Sequence, residues 1–158
     1  MSYGTKILTV DSLGIGYGIK PIMPPVTGSV FKGELVAVVG RNGIGKSTLL
    51  RSILGLQPIF GGEVLIDGKR ISEYNRIGLA RKIGYISTEI IRVSNMRVYD
   101  LVTLGRFPHT DWIGTLESDA ISVINDAIRK TGLESLSGRY ISELSDGERQ
   151  RAMIARVL

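Results

Sequence analysis

The chain has 158 residues, 43% of them apolar and 22% charged, and contains no cysteine. That length and composition fit one globular domain with a real core and leave no room for two ordinary domains, while the lack of cysteine excludes a disulfide framework, a CxxC redox site and a cysteine-based zinc site. The net charge of +5, from 20 Lys and Arg against 15 Asp and Glu, suits a nucleotide, nucleic acid or acidic membrane surface as readily as a plain solvated face.

The longest apolar run, Leu35–Val39, is far below the roughly 18 residues that would span a bilayer, and Met1–Val10 has no signal-peptide anatomy. The expected location is therefore cytosolic. Glycine is the compositional outlier, with 20 residues and no short period, so each needs its own explanation.

In chain order, Lys6–Val10 reads as a short strand, followed by a glycine-rich turn region from Gly14 to Gly18 and a proline-broken stretch from Pro21 to Pro25. Leu35–Val39 is a continuous aliphatic run, the pattern of a strand buried on both faces of a parallel sheet. Lys46–Leu54 carries Leu49, Leu50, Ile53 and Leu54 in a helical stripe, with Gly55 placed to end the helix. Glu63–Ile66 and Ile83–Ile86 read as strands, Asp67-Gly68-Lys69 as a turn, and Ser72–Arg81 as a short helix. Met96–Leu104 is predicted helical with Val98, Leu101 and Val102 inward. Ser118–Lys130 is a clearer helix with Ile121, Ile124 and Ile128 on one face and Gly132 at its end, and a last helix opens at Ser145.

Between the predicted strand and helix, Gly40-Arg41-Asn42-Gly43-Ile44-Gly45-Lys46-Ser47-Thr48 satisfies GxxxxGK(S/T). Glycines let backbone amides converge on an anion, Lys46 reaches the β- and γ-phosphates, Ser47 offers a hydroxyl to Mg²⁺, and the helix start adds its positive dipole end. A strand before and a helix after are the context this motif requires, so nucleoside triphosphate binding is the expectation. The guanine-specific NKxD motif is absent from the sequence. Leu144-Ser145-Asp146-Gly147-Glu148-Arg149-Gln150 forms a capping box, Ser145 with Glu148, but Gly147 in the first turn weakens a helix; a second anion site at that helix start would explain it.

Phosphate loop and Leu-Ser-x-Gly-Glu-Arg-Gln, in this order and separation, resemble the nucleotide-binding domain of an ABC transporter, and the likeness covers nearly the whole chain. The fold this implies is α/β: a P-loop NTPase (RecA-like) core with an antiparallel β subdomain and a helical subdomain. The β subdomain and phosphate-loop core would occupy about 1–88, and the helical subdomain and signature helix about 89–158.

The resemblance also implies the site. Tyr17 falls where the family places an aromatic that stacks on adenine; Gly40, Asn42, Gly43, Gly45, Lys46, Ser47 and Thr48 would hold the phosphates of ATP, with Ser47 on Mg²⁺. Ser145 and Gly147 would cover the γ-phosphate bound by a second ATP-binding subunit. Gly62–Gly68 matches the family's antiparallel β subdomain. Leu104-Gly105-Arg106-Phe107-Pro108 is similar to a segment of importers of iron–siderophore, haem and cobalamin complexes. The partners implied are that second subunit and membrane permease subunits, with no nucleic acid. The location implied is cytoplasmic, peripheral on the inner face of the cell membrane.

Two departures from the family pattern follow. Thr88, then Glu89, stand where a Mg²⁺-contacting glutamine is expected; Thr88 could ligate through its hydroxyl, Glu89 could offer an oxygen, or both could be plain surface loop. The family's apolar strand with its Mg²⁺-site Asp, general-base Glu and switch His would lie after Leu158, so the C-terminal part of the core is expected to be missing here. Val64-Leu65-Ile66-Asp67 imitates the strand but reads as the arm of a hairpin turn, and His109 precedes the signature. The expected activity is ATP hydrolysis coupled to import in the intact protein, and at best weak nucleotide binding without turnover in these 158 residues. A soluble ABC-type ATPase and a non-hydrolysing nucleotide-binding module are the alternatives.

Overall fold

The computed structural model describes residues 4–17, 20–87, 95–110 and 118–158. The chain divides into two compact units, Met1–Leu79 and Ala80–Leu158. The first is built on a sheet, the second on helices.

In the first unit, β1 (Lys6–Tyr17) is the central strand. It pairs antiparallel with β2 (Lys20–Pro21) at its C-terminal end, with β3 (Val26–Phe31) along one edge and with β4 (Ile59–Ile66) along the other. β5 (Lys69–Arg70) adds to β4 through a tight turn in which Asp67 and Gly68 both take positive φ, 50° and 77°, the geometry of a type I′ hairpin. The expected Asp67-Gly68-Lys69 turn is thus present.

Register shifts between Val10 and Leu13 on one edge, and between Asp11 and Ile15 on the other, bulge β1 around Ser12. The bulges let one long strand serve three partners. They also correct the expectation of a turn at Gly14–Gly18: β1 continues through Tyr17, because Ile15 keeps its place in the core while the glycines around it pair with β2 and β4.

Val10, Leu13, Ile15 and Val64 point to one side of the sheet and bury against Leu49 of α1 (Lys46–Ile53). Helix α1 ends in a Schellman arrangement: Gly55, at φ 68°, donates to the carbonyl of Ser52, and Leu56 donates to that of Arg51. A 3-10 turn at Ile71–Glu73 and a short helix α2 (Arg76–Ala80) replace the single helix expected over Ser72–Arg81.

The second unit packs α3 (Val98–Leu104), α4 (Ala120–Lys130) and α5 (Asp146–Ala155) around one core. Val98, Leu101 and Val102 face inward as expected, joined by Ile124, Ala127, Ile128, Leu133, Ile141, Leu144, Ala152 and Met153. Ile121 does not join them; it is 61% exposed, at the edge of the stripe that Ala120, Ile124, Ala127 and Ile128 bury. Helix α4 ends as α1 does, with Gly132 donating to Arg129 and the buried Leu133 donating to Ile128.

Two expected strands are not formed. Leu35–Val39 and Ile83–Ile86 carry no regular structure, and Leu35 and Val39 are 96% and 90% exposed. A strand exists only by pairing, and within each unit no described strand lies alongside these runs. The two runs themselves fall in different units.

Candidate functional site

The phosphate-loop motif folds into a cradle at the start of α1. Gly45 is the N-cap residue, at φ 106° and ψ 8°, so no side chain caps the first turn and its amides remain available to an anion. Only glycine holds that conformation without strain, and an added Cβ would also meet Ile22 Cγ2 at 2.9 Å. Gly43 is left-handed too, at φ 83° with open space beside it, and a side chain on Gly40 would press on Ile44 at 3.2 Å. Asn42 and Ser47 are exposed at the mouth of this loop.

Lys46 folds back over the loop. Its Nζ donates to the carbonyls of Gly40 and Arg41, each at 2.8 Å. Those bonds hold the ammonium over the loop. Thr48 is only 7% exposed and its hydroxyl is hydrogen-bonded to that of Tyr17 at 3.3 Å. Tyr17 itself, the expected adenine-stacking residue, is 65% exposed at the end of β1. One end of the first unit therefore gathers Tyr17, Gly45, Lys46, Ser47 and Thr48.

No group of three or more His, Cys, Asp or Glu side chains among the described residues could form a metal cage. A magnesium ion suits what is present, since Mg²⁺ keeps several waters and is held by few protein groups together with substrate phosphates. The exposed Ser47 hydroxyl beside the cradle fits that chemistry. Thr88 and Glu89 lie outside the described residues.

In the second unit, Ser145 caps α5 in the expected box. Its backbone N–H donates to Glu148 Oε2 at 2.8 Å, its hydroxyl donates to the same oxygen at 2.7 Å, and Glu148 N–H points back at Ser145 Oγ at 3.4 Å. The Ser145 hydroxyl, then its backbone N–H, hold the Glu148 carboxyl below the ordinary glutamate range. Gly147 is exposed and a Cβ there would meet nothing, so packing within the unit does not require a glycine. Arg149 steadies the same turn by donating to the Leu144 carbonyl at 2.8 Å.

Sequence reasoning missed three contributors. Ile22 lies under Gly45, Gln57 donates from Nε2 to the Gly16 carbonyl at 3.3 Å, and the Tyr17–Thr48 contact joins strand to helix. Local pattern carries no signal for Ile22 or Gln57, since each meets a residue distant in the sequence.

A glycine-lined anion cradle at a helix start, with a lysine over it, defines a nucleotide-binding protein of the phosphate-loop class. A family profile described as "ABC transporter" matches residues 23–158, and the chain belongs to that family. It is 34% identical to the iron(3+)-hydroxamate import ATP-binding protein FhuC of Bacillus subtilis, over 96% of this chain and 56% of that protein. It is also 34% identical to the ferric enterobactin transport ATP-binding protein FepC of Escherichia coli, over 100% of this chain and 58% of that one. Among solved structures, cbiO1 of Clostridium perfringens, part of an ABC transporter complex, superposes with a TM-score of 0.79 at 29% identity, covering 98% of this chain and 61% of that one. The fold is thus the α/β fold of ABC ATPase domains, and the chain spans somewhat more than half the length of these relatives.

Proposed function

We propose that this chain is the ATP-binding part of an ABC importer subunit, and that the imported substrate is an iron–siderophore complex or a related haem or cobalamin complex. The observation that carries the nucleotide reading is the cradle itself: Gly43 and Gly45 in left-handed conformations, uncapped amides at the start of α1, and the Lys46 ammonium above them. The names of FhuC, for iron(3+)-hydroxamate import, and FepC, for ferric enterobactin transport, support the substrate class, as does the Leu104–Pro108 segment.

In this reading the amides of Gly43–Ser47 and the Lys46 ammonium hold the phosphates, Gly40 and Asn42 shape the loop, and the Tyr17 ring stacks on the adenine. Thr48 stands beside the ring and the phosphates. Magnesium, when bound, would supply charge neutralisation for the phosphates, and Ser47 is the hydroxyl that would hold it. Thr88 is a further candidate ligand. Ser145 and Gly147 present a helix start to the γ-phosphate held by a second ATP-binding subunit, which accounts for a glycine that packing does not require. The domain boundary near residue 88 would separate the phosphate-loop part from the signature part.

Phosphoryl transfer asks the protein chiefly for positioning and charge stabilisation, but a group must still orient the attacking water. None of the carboxylates in these residues takes that role in our reading. We therefore expect nucleotide binding without appreciable turnover from residues 1–158, and import-coupled hydrolysis from the intact protein beside its permease, at the inner face of the membrane. The test is calorimetric titration of the chain with ATP and Mg²⁺, alongside a phosphate-release assay. Binding that is lost in Lys46→Ala supports the reading; no binding to the unaltered chain, or steady hydrolysis that Lys46→Ala abolishes, overturns one half of it or the other.

A further inference from the structure

Tyr17 presents a physical problem. A ring that stacks on a base must leave a face free yet be held in orientation, and an exposed aromatic side chain ordinarily gives up rotational freedom on binding, at a cost to affinity. Here the ring is 65% exposed, so core packing does not hold it.

Both ends of the residue are held instead. At the backbone end, Gly16 pairs with Pro21 and Tyr17 with Lys20 in the β1–β2 ladder, the Gly16 Cα packs against the Lys20 carbonyl and the Phe60 ring, and Gln57 donates to the Gly16 carbonyl at 3.3 Å. At the ring tip, the Tyr17 hydroxyl is hydrogen-bonded to Thr48. Thr48 is a firm anchor, buried in the first turn of α1 next to Leu49, which is itself part of the sheet's core.

We propose that Thr48 is a positioning residue for the nucleobase: its hydroxyl latches the Tyr17 ring, tying the strand end that meets the base to the helix that meets the phosphates. The idea rests on the ATP-binding reading above. The latch sets the ring's orientation before ligand arrives, and it fixes the distance between base platform and phosphate cradle, so a nucleoside triphosphate is measured along its length.

A latch predicts a split between two probes. Tripolyphosphate needs only the cradle, whereas ATP needs cradle and ring. Tyr17→Phe keeps the ring and removes the hydroxyl, so it should weaken ATP about two- to fivefold, the range of a modest neutral hydrogen bond, and leave tripolyphosphate unchanged. Thr48→Val should lower the ratio of ATP to tripolyphosphate affinity by a similar factor, Thr48→Ser should restore it, and Thr48→Val on top of Tyr17→Phe should lower the ratio no further. All are measured by isothermal titration with Mg²⁺ present, with circular dichroism confirming an unchanged fold. Equal ATP affinity in Tyr17→Phe and the unaltered chain overturns the latch, as does equal loss of both probes or additive loss in the double variant. If the unaltered chain binds tripolyphosphate and ATP equally, Tyr17 is no base platform and the latch falls with it. If it binds neither, the nucleotide reading itself has failed.

Discussion

Lys46 donates a 2.8 Å hydrogen bond to the carbonyl of Gly40, so the lysine closes the same loop that it would share with phosphate. A charged donor held by two carbonyls is already oriented; an arriving anion need only draw the ammonium across a short distance. Lys46→Ala removes both loop bonds and the positive charge. With each charge-assisted bond contributing about 1.5–3 kcal/mol, triphosphate affinity should fall at least about tenfold. Calorimetry with tripolyphosphate and ATP reads this directly, and both probes should lose together, unlike the Tyr17 variant.

The first unit should be sensitive at its centre. Leu13 is fully buried between β1's neighbours and α1, just past the bulge at Ser12. Leu13→Ala leaves a cavity under the strand that carries Tyr17, and a change of this kind costs about 2–5 kcal/mol. Urea unfolding should show a lower midpoint than the unaltered chain. An equivalent midpoint would mean that β1 is not the keystone of this unit.

Acid should loosen the start of α5. The Glu148 carboxyl accepts from Ser145 twice, and its pKa is lowered in the folded state. A lowered folded pKa means the stabilising contribution is complete above the ordinary glutamate value, about 4.3, and is lost as the pH falls through the depressed folded value. Hydrogen exchange at the amides of α5 should therefore be slow and steady above that range and accelerate below it. Glu148→Gln, which cannot titrate, should flatten the profile. A profile that is the same for both chains contradicts the capping role.

The two levels of the sequence were not equally legible. Periodic helices with capping residues declared themselves: Val98, Leu101 and Val102 face inward in α3, and both Gly55 and Gly132 end their helices in left-handed conformation. The left-handed glycine loop at the start of α1 was legible as well, because Gly43 and Gly45 answer a local conformational need. What could not be read was pairing. Whether Leu35–Val39 becomes a strand depends on a neighbour many residues away, and the composition of the run says only that it would suit one. Likewise β1 continues through Gly14 and Gly16 because β2 and β4 pair with them, although glycines so close together read locally as a turn.

The aliphatic run Leu35–Val39 has a consequence for behaviour in solution. Four of its side chains are large and exposed, Leu35, Val36, Val38 and Val39, and the run carries no charge or proline. Among the described residues its backbone joins no strand ladder, so it presents an apolar surface and a backbone outside any sheet, which is how intermolecular strand pairing begins. A second copy of the chain offers an identical run. Sedimentation velocity should show self-association that grows with protein concentration, and a charge inserted in the run, Val36→Glu or Val38→Lys, should reduce it by making stacked copies repel and by lowering the apolar area. The phosphate cradle begins at Gly40, beyond the run, so both variants should still bind tripolyphosphate. A chain that stays monomeric at all concentrations, or variants that associate as strongly as their parent, would show that the run is covered in solution by part of its own chain.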